Sequence, residues 1–255
     1  MNPAEYHRMA AVEREHWWYC GLRDLIARLL RKYALTEAKP LAVLDAGCGT
    51  GENLRLLREV LSPAYLGGFD LSPLALEYAV QNNPDVDVYQ SDICQPELHA
   101  SEFDVILSCD VIYIPGLTCA MPGLERLAAA LRPGGRFLLN LPAYNWMRSR
   151  HDVAVHTSQR FTRGDVRRLF EALGLVPEVL TYRLCELFPL VLAARLPSML
   201  WPPKDAEQAL SDVALPGRRV NAALRSVLYA ENAAIVAGWS LPWGSSVFAV
   251  GRKPS

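Results

Sequence analysis

The sequence predicts an α/β fold: a doubly wound, mostly parallel sheet with helices on both faces. Three observations carry this expectation. Short apolar runs alternate with helical stretches through the first half of the chain, and a glycine-rich turn closes the first run. Of the 255 residues, 51% are hydrophobic and 21% charged, enough apolar material for a large core, which excludes disorder, collagen and small disulfide scaffolds. With 26 Lys and Arg against 27 Asp and Glu, the formal charge is −1, so no basic surplus exists to neutralise a phosphate backbone. Nucleic acid is therefore not an expected partner.

The elements follow in order. Residues 41–46 (LAVLDA) read as a first buried strand, and a helix runs from Glu52 to Leu61. Next come 64–70 as a strand, Pro73 to Asn82 as a helix, and 86–89 and 103–109 as strands. A helix over 121–131 ends at the turn Arg132-Pro133-Gly134-Gly135, and 136–141 forms the fifth strand. The polar, histidine-bearing stretch 143–160 lacks periodicity and reads as a long loop, the kind of connection that carries function. Thr162 with Asp165 marks a capping box, and Gly174 closes that helix before a strand at 175–183. A helical pattern spans 218–237, and 245–251 is a last strand. About sixty residues lie between the last two strands, more than a plain connection needs. The apolar segment 187–201, with Pro189 and Pro197, predicts either a buried structural cap or an apolar wall to a ligand pocket. Its single Arg195 argues against stable membrane anchoring.

The charged start of the chain has no apolar h-region, and the longest late apolar run is too short to span a bilayer, so a cytoplasmic location is expected. Six cysteines, Cys20, Cys48, Cys94, Cys109, Cys119 and Cys185, show no C-x-x-C pair and no histidine at metal spacing. They read as reduced thiols, and no metal is expected.

VLDAGCGTGENL, residues 43–54, holds the strongest chemical signal. Gly47, Gly49 and Gly51 let the backbone approach a ligand closely where a helix begins. A dinucleotide fingerprint would need a further glycine where Glu52 stands, and that carboxylate would repel a pyrophosphate. The pattern instead suits a ligand with an ammonium group and no phosphate, for which Asp45 supplies negative charge at the strand end. Asp70 ends the second strand, where an acid can accept hydrogen bonds from both ribose hydroxyls. Asp92, after the third strand, is placed to take the exocyclic amine of an adenine.

These residues, with GFDLSP, SDI, FDVILSCDVI and LRPGGRFLLN, resemble the class I, Rossmann-like, S-adenosylmethionine-dependent methyltransferases over residues 41–141. HWWY, PAYNWMRSRHD, H-x-x-x-RFT and LPWGSSVFAVGRK extend the likeness to a largely uncharacterised bacterial subgroup. The resemblance implies a seven-stranded sheet whose antiparallel last strand inserts beside the fifth. It implies a single domain: an N-terminal helical lid (1–36), a core (37–183), a helical insertion (184–243), and the last strand and tail (244–255). S-adenosylmethionine is the implied cofactor, with S-adenosylhomocysteine as product. The loop Gly47, Cys48, Gly49 and Gly51 would approach its methionine part, Asp70 with Leu71 the ribose, and Asp92 with Ile93 the adenine. Cys109 or Asp110 would lie beneath the donor. Relatives often carry Glu-His after the fourth strand; here Asp110-Val111-Ile112-Tyr113 has no such pair.

Methyl transfer asks the protein mainly to align donor and acceptor, and a hydroxyl acceptor adds the need for a base. His151 with Asp152, and His156 with Arg160, are the candidates; otherwise these histidines fix the loop by hydrogen bonds. Tyr144, Asn145 and Arg160 are placed to orient an acceptor, Arg160 suiting a carboxylate or phosphate. Trp17, Trp18 and Tyr19 either cover the cofactor pocket, with Arg23 near the methionine carboxylate, or pack their helix on the sheet. His7, His16 and His99 read as solvated, and 203–219 as a solvated loop. The expected partner is a small-molecule, glycan or lipid-type acceptor, methylated on oxygen. A cofactor-binding sensor or scaffold and an NAD-dependent oxidoreductase are the alternatives.

Overall fold

The computed structural model describes residues 3–33, 40–98, 102–200 and 214–255. Seven strands form one sheet: β1 (Ala42–Ala46), β2 (Tyr65–Asp70), β3 (Asp87–Gln90), β4 (Phe103–Cys109), β5 (Leu131–Pro142), β6 (Val176–Arg183) and β7 (Ser246–Arg252). Their order is β3-β2-β1-β4-β5-β7-β6, and β7 runs antiparallel to both neighbours. The expected insertion of an antiparallel last strand beside the fifth is therefore present.

Side-chain alternation along the strands divides the core into two layers. On one face Leu44, Ala46, Ile106, Phe137 and Leu139 pack against α5 (Leu117–Ala130) and α7 (Arg163–Ala172) through Leu124, Leu127, Leu169 and Phe170. On the other, Val43, Val105, Leu107, Leu138 and Phe248 meet α2 (Trp17–Lys32), α3 (Glu52–Leu61) and α9 (Arg218–Val236). α4 (Pro73–Asn82) is capped by Ser72 and packs on α3 through Ala79 and Leu54. The predicted capping box is formed: Thr162 and Asp165 bond reciprocally, and Gly174 takes φ +67 just past the helix.

Several boundaries differ from expectation. α5 begins at Leu117 and accommodates Pro122. The predicted turn at 132–135 is a bulge inside β5: Phe103 pairs with Leu131 and Val105 with Arg136, so β5 advances five residues while β4 advances two. Gly134, at φ +79, makes the bend, and its amide bonds the carbonyl of Lys253. Stretch 143–160 is not a plain loop. It holds a 3₁₀ turn (Asn145–Met147) and α6 (Arg150–Ala154), whose cap pairs Ser149 with Asp152. Of the 203–219 segment, residues 203–213 lie outside the described ones, and Arg218 opens α9.

The segment before the sheet forms α1 (Pro3–Val12) and α2, separated by a short turn. His16 is buried rather than solvated, because its ring caps α2 by accepting from the Trp18 amide at 3.3 Å. His7 binds the Tyr78 hydroxyl at 2.7 Å, and His99 lies outside the described residues. α1 meets α4 and so crosses the carboxyl edge of β1 and β2.

Candidate active site

Every parallel strand delivers its carboxyl end to one edge, and a chamber of about 1040 Å³ opens there. One end is built from the β1–α3 loop, where Gly47, Gly49 and Gly51 take φ of +86, +54 and +88. At Gly47 a Cβ would fall 2.3 Å from the Val111 side chain, so only glycine fits between this turn and the segment after β4. Asp70 closes the loop from β2: Oδ2 accepts from the Gly49 amide at 3.0 Å and Oδ1 from the Ser72 amide at 2.9 Å. Burial raises the Asp70 carboxyl above the usual range, opposed by these amide donors.

Gly47, Cys48, Gly49, Asp70, Leu71, Asp92, Ile93 and Cys109 all line this one chamber. Asp92 Oδ1 accepts from the Cys94 amide at 2.9 Å, and Leu71 is exposed. Gly51 does not reach the wall; its glycine requirement comes from Ala79 and Asn83, which a Cβ would strike at 2.9 and 2.6 Å. Glu52 occupies the start of α3, bonded to Arg14 at 2.7 Å and Arg55 at 2.9 Å. A helix start already holding a carboxylate does not receive a pyrophosphate. Burial pushes the Cys48 and Cys109 thiols well above their ordinary values, which disfavours the thiolate a nucleophile needs.

Asp45 gives the sharpest test of whether these residues suit S-adenosylmethionine. Its carboxyl is fully buried, neither oxygen has a hydrogen-bond partner in the structure, and desolvation followed by the charge of Asp70 pushes it up to about 8. Asp45 is not itself among the residues that line the chamber, whose lining begins in this loop at Gly47, so a cationic methionine part would feel this carboxyl through the glycine loop rather than by direct contact. Asp70 and Asp92, at the next two strand ends, suit ribose hydroxyls and an adenine amine. The residues therefore fit the cofactor.

Sequence reasoning did not single out part of the wall. Tyr6, Met9 and Glu13 reach the chamber from α1 and the turn after it. Glu13 accepts a short hydrogen bond from Thr50 of the glycine loop, and burial pushes its carboxyl up to about 7. Arg14 extends the clamp to Asn82 at 2.9 Å. Arg23 lines the chamber, but its Nη2 also donates to the backbone carbonyls of Glu13 and Arg14, so it holds the turn. Tyr6, Met9 and Glu13 share no motif; only the path of α1 beside α4 brings them to the chamber.

The chamber continues past the donor end to Tyr113, Arg150, His151, Asp152, Arg160, Val191, Ala194, Arg195, Ser245 and Ser246. His151 lies on this wall. His156 does not: it is exposed at φ +57 and absent from the chamber lining, which corrects its candidacy as a base. The carboxylate of Asp152 is held by Arg160. Asp152 takes the Arg160 guanidinium at 2.6 and 3.1 Å, and this ion pair, with the Ser149 amide, holds its carboxyl below the usual range against burial. Arg160 further donates to the Ala143 carbonyl at 2.8 Å, so it props the loop. Tyr144 stacks on Tyr182 and Trp146 outside the chamber, and Asn145 accepts from the Arg160 amide at 3.0 Å. Neither Tyr144 nor Asn145 reaches the wall, because the 3₁₀ turn carries them to the outer side.

Asp110 takes the more direct place, immediately after β4. It adopts φ +56, lines the chamber, and accepts from Asn140 Nδ2 at 2.8 Å. Asn140 in turn accepts from Arg183 Nη1 at 3.2 Å, and the Arg183 nitrogens Nε and Nη2 have no hydrogen-bond partner. Burial pushes Asp110 up to about 7, against the pull of Asn140 and Arg183.

Comparison with known proteins places this geometry. Residues 43–135 match the model of a methyltransferase domain. A trans-aconitate 2-methyltransferase of Azoarcus sp. (strain BH72) is 32% identical over 157 residues, 61% of this chain and 56% of that protein. The chain thus spans about half the length of the curated relatives it matches. Among solved structures, an S-adenosylmethionine-dependent methyltransferase from Mesorhizobium loti aligns with a TM-score of 0.57 at 18% identity, over 88% of this chain and 96% of that one. A phosphoethanolamine N-methyltransferase of Haemonchus contortus, solved with S-adenosyl-L-methionine, aligns at 0.56 and 18% identity, over 91% and 52%.

Proposed function

We propose that this chain is a class I S-adenosylmethionine-dependent methyltransferase and transfers the methyl group of that cofactor to an oxygen of a small-molecule acceptor held at the far end of the chamber, a reading supported by the matched methyltransferase domain and its relatives. The single observation that carries the reading is continuity: one cavity joins the glycine loop, Asp70 and Asp92 to His151, Asp110, Arg150 and Arg195. A volume of about 1040 Å³ leaves room for a second molecule beside the first. A sensor or scaffold would have no use for such an acceptor side.

When bound, the cofactor supplies a sulfonium-activated methyl group with its own leaving group. The protein has the rest of the work. The glycine loop holds the methionine part, with the charge of Asp45 buried outside the lining, Asp70 the ribose, and Asp92 with Ile93 the adenine. Trp17, Trp18 and Val191 line the chamber and keep water away. Arg150 and Arg195 line the acceptor side. For a hydroxyl acceptor, Asp110 or His151 is placed to take the proton as the oxygen attacks; a carboxylate acceptor needs neither.

Titration calorimetry with S-adenosylmethionine, S-adenosylhomocysteine and NAD tests the first half, with micromolar binding expected for the first two and none for NAD. Radiolabelled donor offered with trans-aconitate, related small acids and fractionated cell extract tests the second. Trans-aconitate heads the panel because curated relatives carry it in their names. Binding without transfer to any fraction would favour the sensor reading.

A further inference from the structure

Two cysteines on the chamber wall have no part in the transfer. Cys94 and Cys119 both line it, and their Sγ atoms stand 3.0 Å apart. Cys94 is buried and directly follows the adenine-side pair Asp92 and Ile93, its amide anchored to Asp92. Cys119 is exposed, in the first turn of α5. The backbones that carry them are wedged together. A Cβ on Gly123 of α5 would fall 1.7 Å from the Ile93 carbonyl oxygen and 3.0 Å from the Cys94 carbonyl carbon. Helix and loop thus already touch, which keeps the two cysteine backbones side by side.

We propose that Cys94 and Cys119 form a reversible dithiol–disulfide pair, closed by a hydroperoxide, and that closure weakens cofactor binding at the adenine end of the chamber. The bond itself rests only on the thiol geometry, whereas its effect on binding rests on the cofactor reading above. Cys119 reacts first because it is exposed; burial and contact with Cys119 push the Cys94 thiol up to about 12. The Cys119 thiol is oxidised by hydrogen peroxide to a sulfenic acid, releasing one water. Cys94 sulfur then attacks the sulfenic sulfur; the S–S bond forms, the S–O bond breaks, and the departing hydroxide leaves with the Cys94 proton as a second water. Two electrons pass from the thiols to the peroxide. A dithiol reductant returns two electrons and two protons.

A disulfide requires S–S of about 2.05 Å, so the sulfurs must close by roughly 1 Å. α5 and the loop cannot approach further across Gly123. Side-chain rotation can supply part of this closure, and any backbone shift falls on residues 92–94, where the Cys94 amide is anchored to Asp92 beside Ile93.

The test uses the full chain, oxidised with hydrogen peroxide and analysed by intact mass and peptide mapping. A loss of two hydrogen masses, mapped to a Cys94–Cys119 crosslink and absent in Cys119→Ser, is expected. S-adenosylhomocysteine should bind the oxidised protein about tenfold or more weakly, recover with dithiothreitol, and bind Cys119→Ser equally before and after oxidant. No mass loss, or a crosslink between other cysteines, overturns the pair. A mapped crosslink with unchanged affinity overturns the gating. If the reduced protein binds no S-adenosylhomocysteine, the cofactor reading fails and the gating with it, while the mass change still decides the bond.

Discussion

At the scale of single residues, the acids at the strand ends divide by what satisfies them. Asp70 is satisfied by two backbone amides, so it stays in position before any ligand arrives. Asp70→Ala should weaken S-adenosylmethionine and S-adenosylhomocysteine alike by ten- to a hundredfold, the loss of charged hydrogen bonds of about 1.5–3 kcal/mol. Unchanged affinity in calorimetry would remove the ribose assignment. Asp45 has no such partners and sits at about 8. An arriving ammonium lowers that value, so binding near neutral pH should release a proton. Titrations in buffers of different ionisation heat should show the release, and Asp45→Asn should abolish it. At the acceptor end, Asp110→Asn and His151→Ala separate acceptor classes. For a hydroxyl acceptor one of them should lower kcat by about a hundredfold with S-adenosylhomocysteine affinity kept; for a carboxylate acceptor both should leave turnover nearly intact.

Among the elements, α8 (Phe188–Leu200) is the one whose role periodicity left open, and none of its residues 188–199 is buried, so it is chamber wall rather than a buried cap. Leu187, just before it, packs with Leu184, Leu228, Trp17 and Trp18, while Val191, Ala194 and Arg195 form chamber wall. Leu190 and Leu196 face outward. Ala194→Trp should therefore block the acceptor end: cofactor affinity and melting temperature should stay near wild type while transfer falls at least about tenfold. A drop in cofactor affinity instead would place α8 over the donor. The N-terminal pair α1 and α2 both packs and lines, since Leu25, Ile26 and Leu29 enter the core while Tyr6, Met9, Glu13 and Trp17 face the ligand.

For the whole molecule, the site's buried acids make stability depend on pH in an unusual direction. Asp45, Glu13 and Asp110 are raised to about 8, 7 and 7 by burial, and Glu231 is raised as well. In the unfolded chain such groups titrate near 4, so between about pH 4 and 8 the folded state holds protons the unfolded state has released. Stability should fall as pH rises through that window. Asp152 and Glu52, held low by arginines, contribute in the opposite sense only below it. The ligand-free protein should thus melt several degrees higher at about pH 5.5 than at about pH 8.5. Excess S-adenosylhomocysteine should narrow the gap by stabilising the folded form at the higher pH. A melting temperature that rises with pH would contradict the buried-acid account. No described helix is long and apolar enough to cross a membrane.

The donor half was legible because it is built from consecutive residues. Strand, glycine turn and helix are adjacent in sequence, Asp70 ends β2 and Asp92 follows β3 by two residues, so Gly47, Asp70 and Asp92 could be placed by counting. Local chemistry also determined the Thr162 and Asp165 cap and the bounds of α3 and α4. Only the tertiary structure decided the acceptor half. His151 and His156 look alike in sequence, yet α6 turns one to the chamber and the left-handed residue after it sends the other outward. Asp152 pairs with Arg160 because the 143–160 segment folds back on itself. Glu13 meets Thr50 only because α1 crosses the sheet edge. The physical reason is common to all three. Contacts between residues distant along the chain are set by how elements pack, and neither periodicity nor motif spacing encodes which side of an irregular segment will face the ligand.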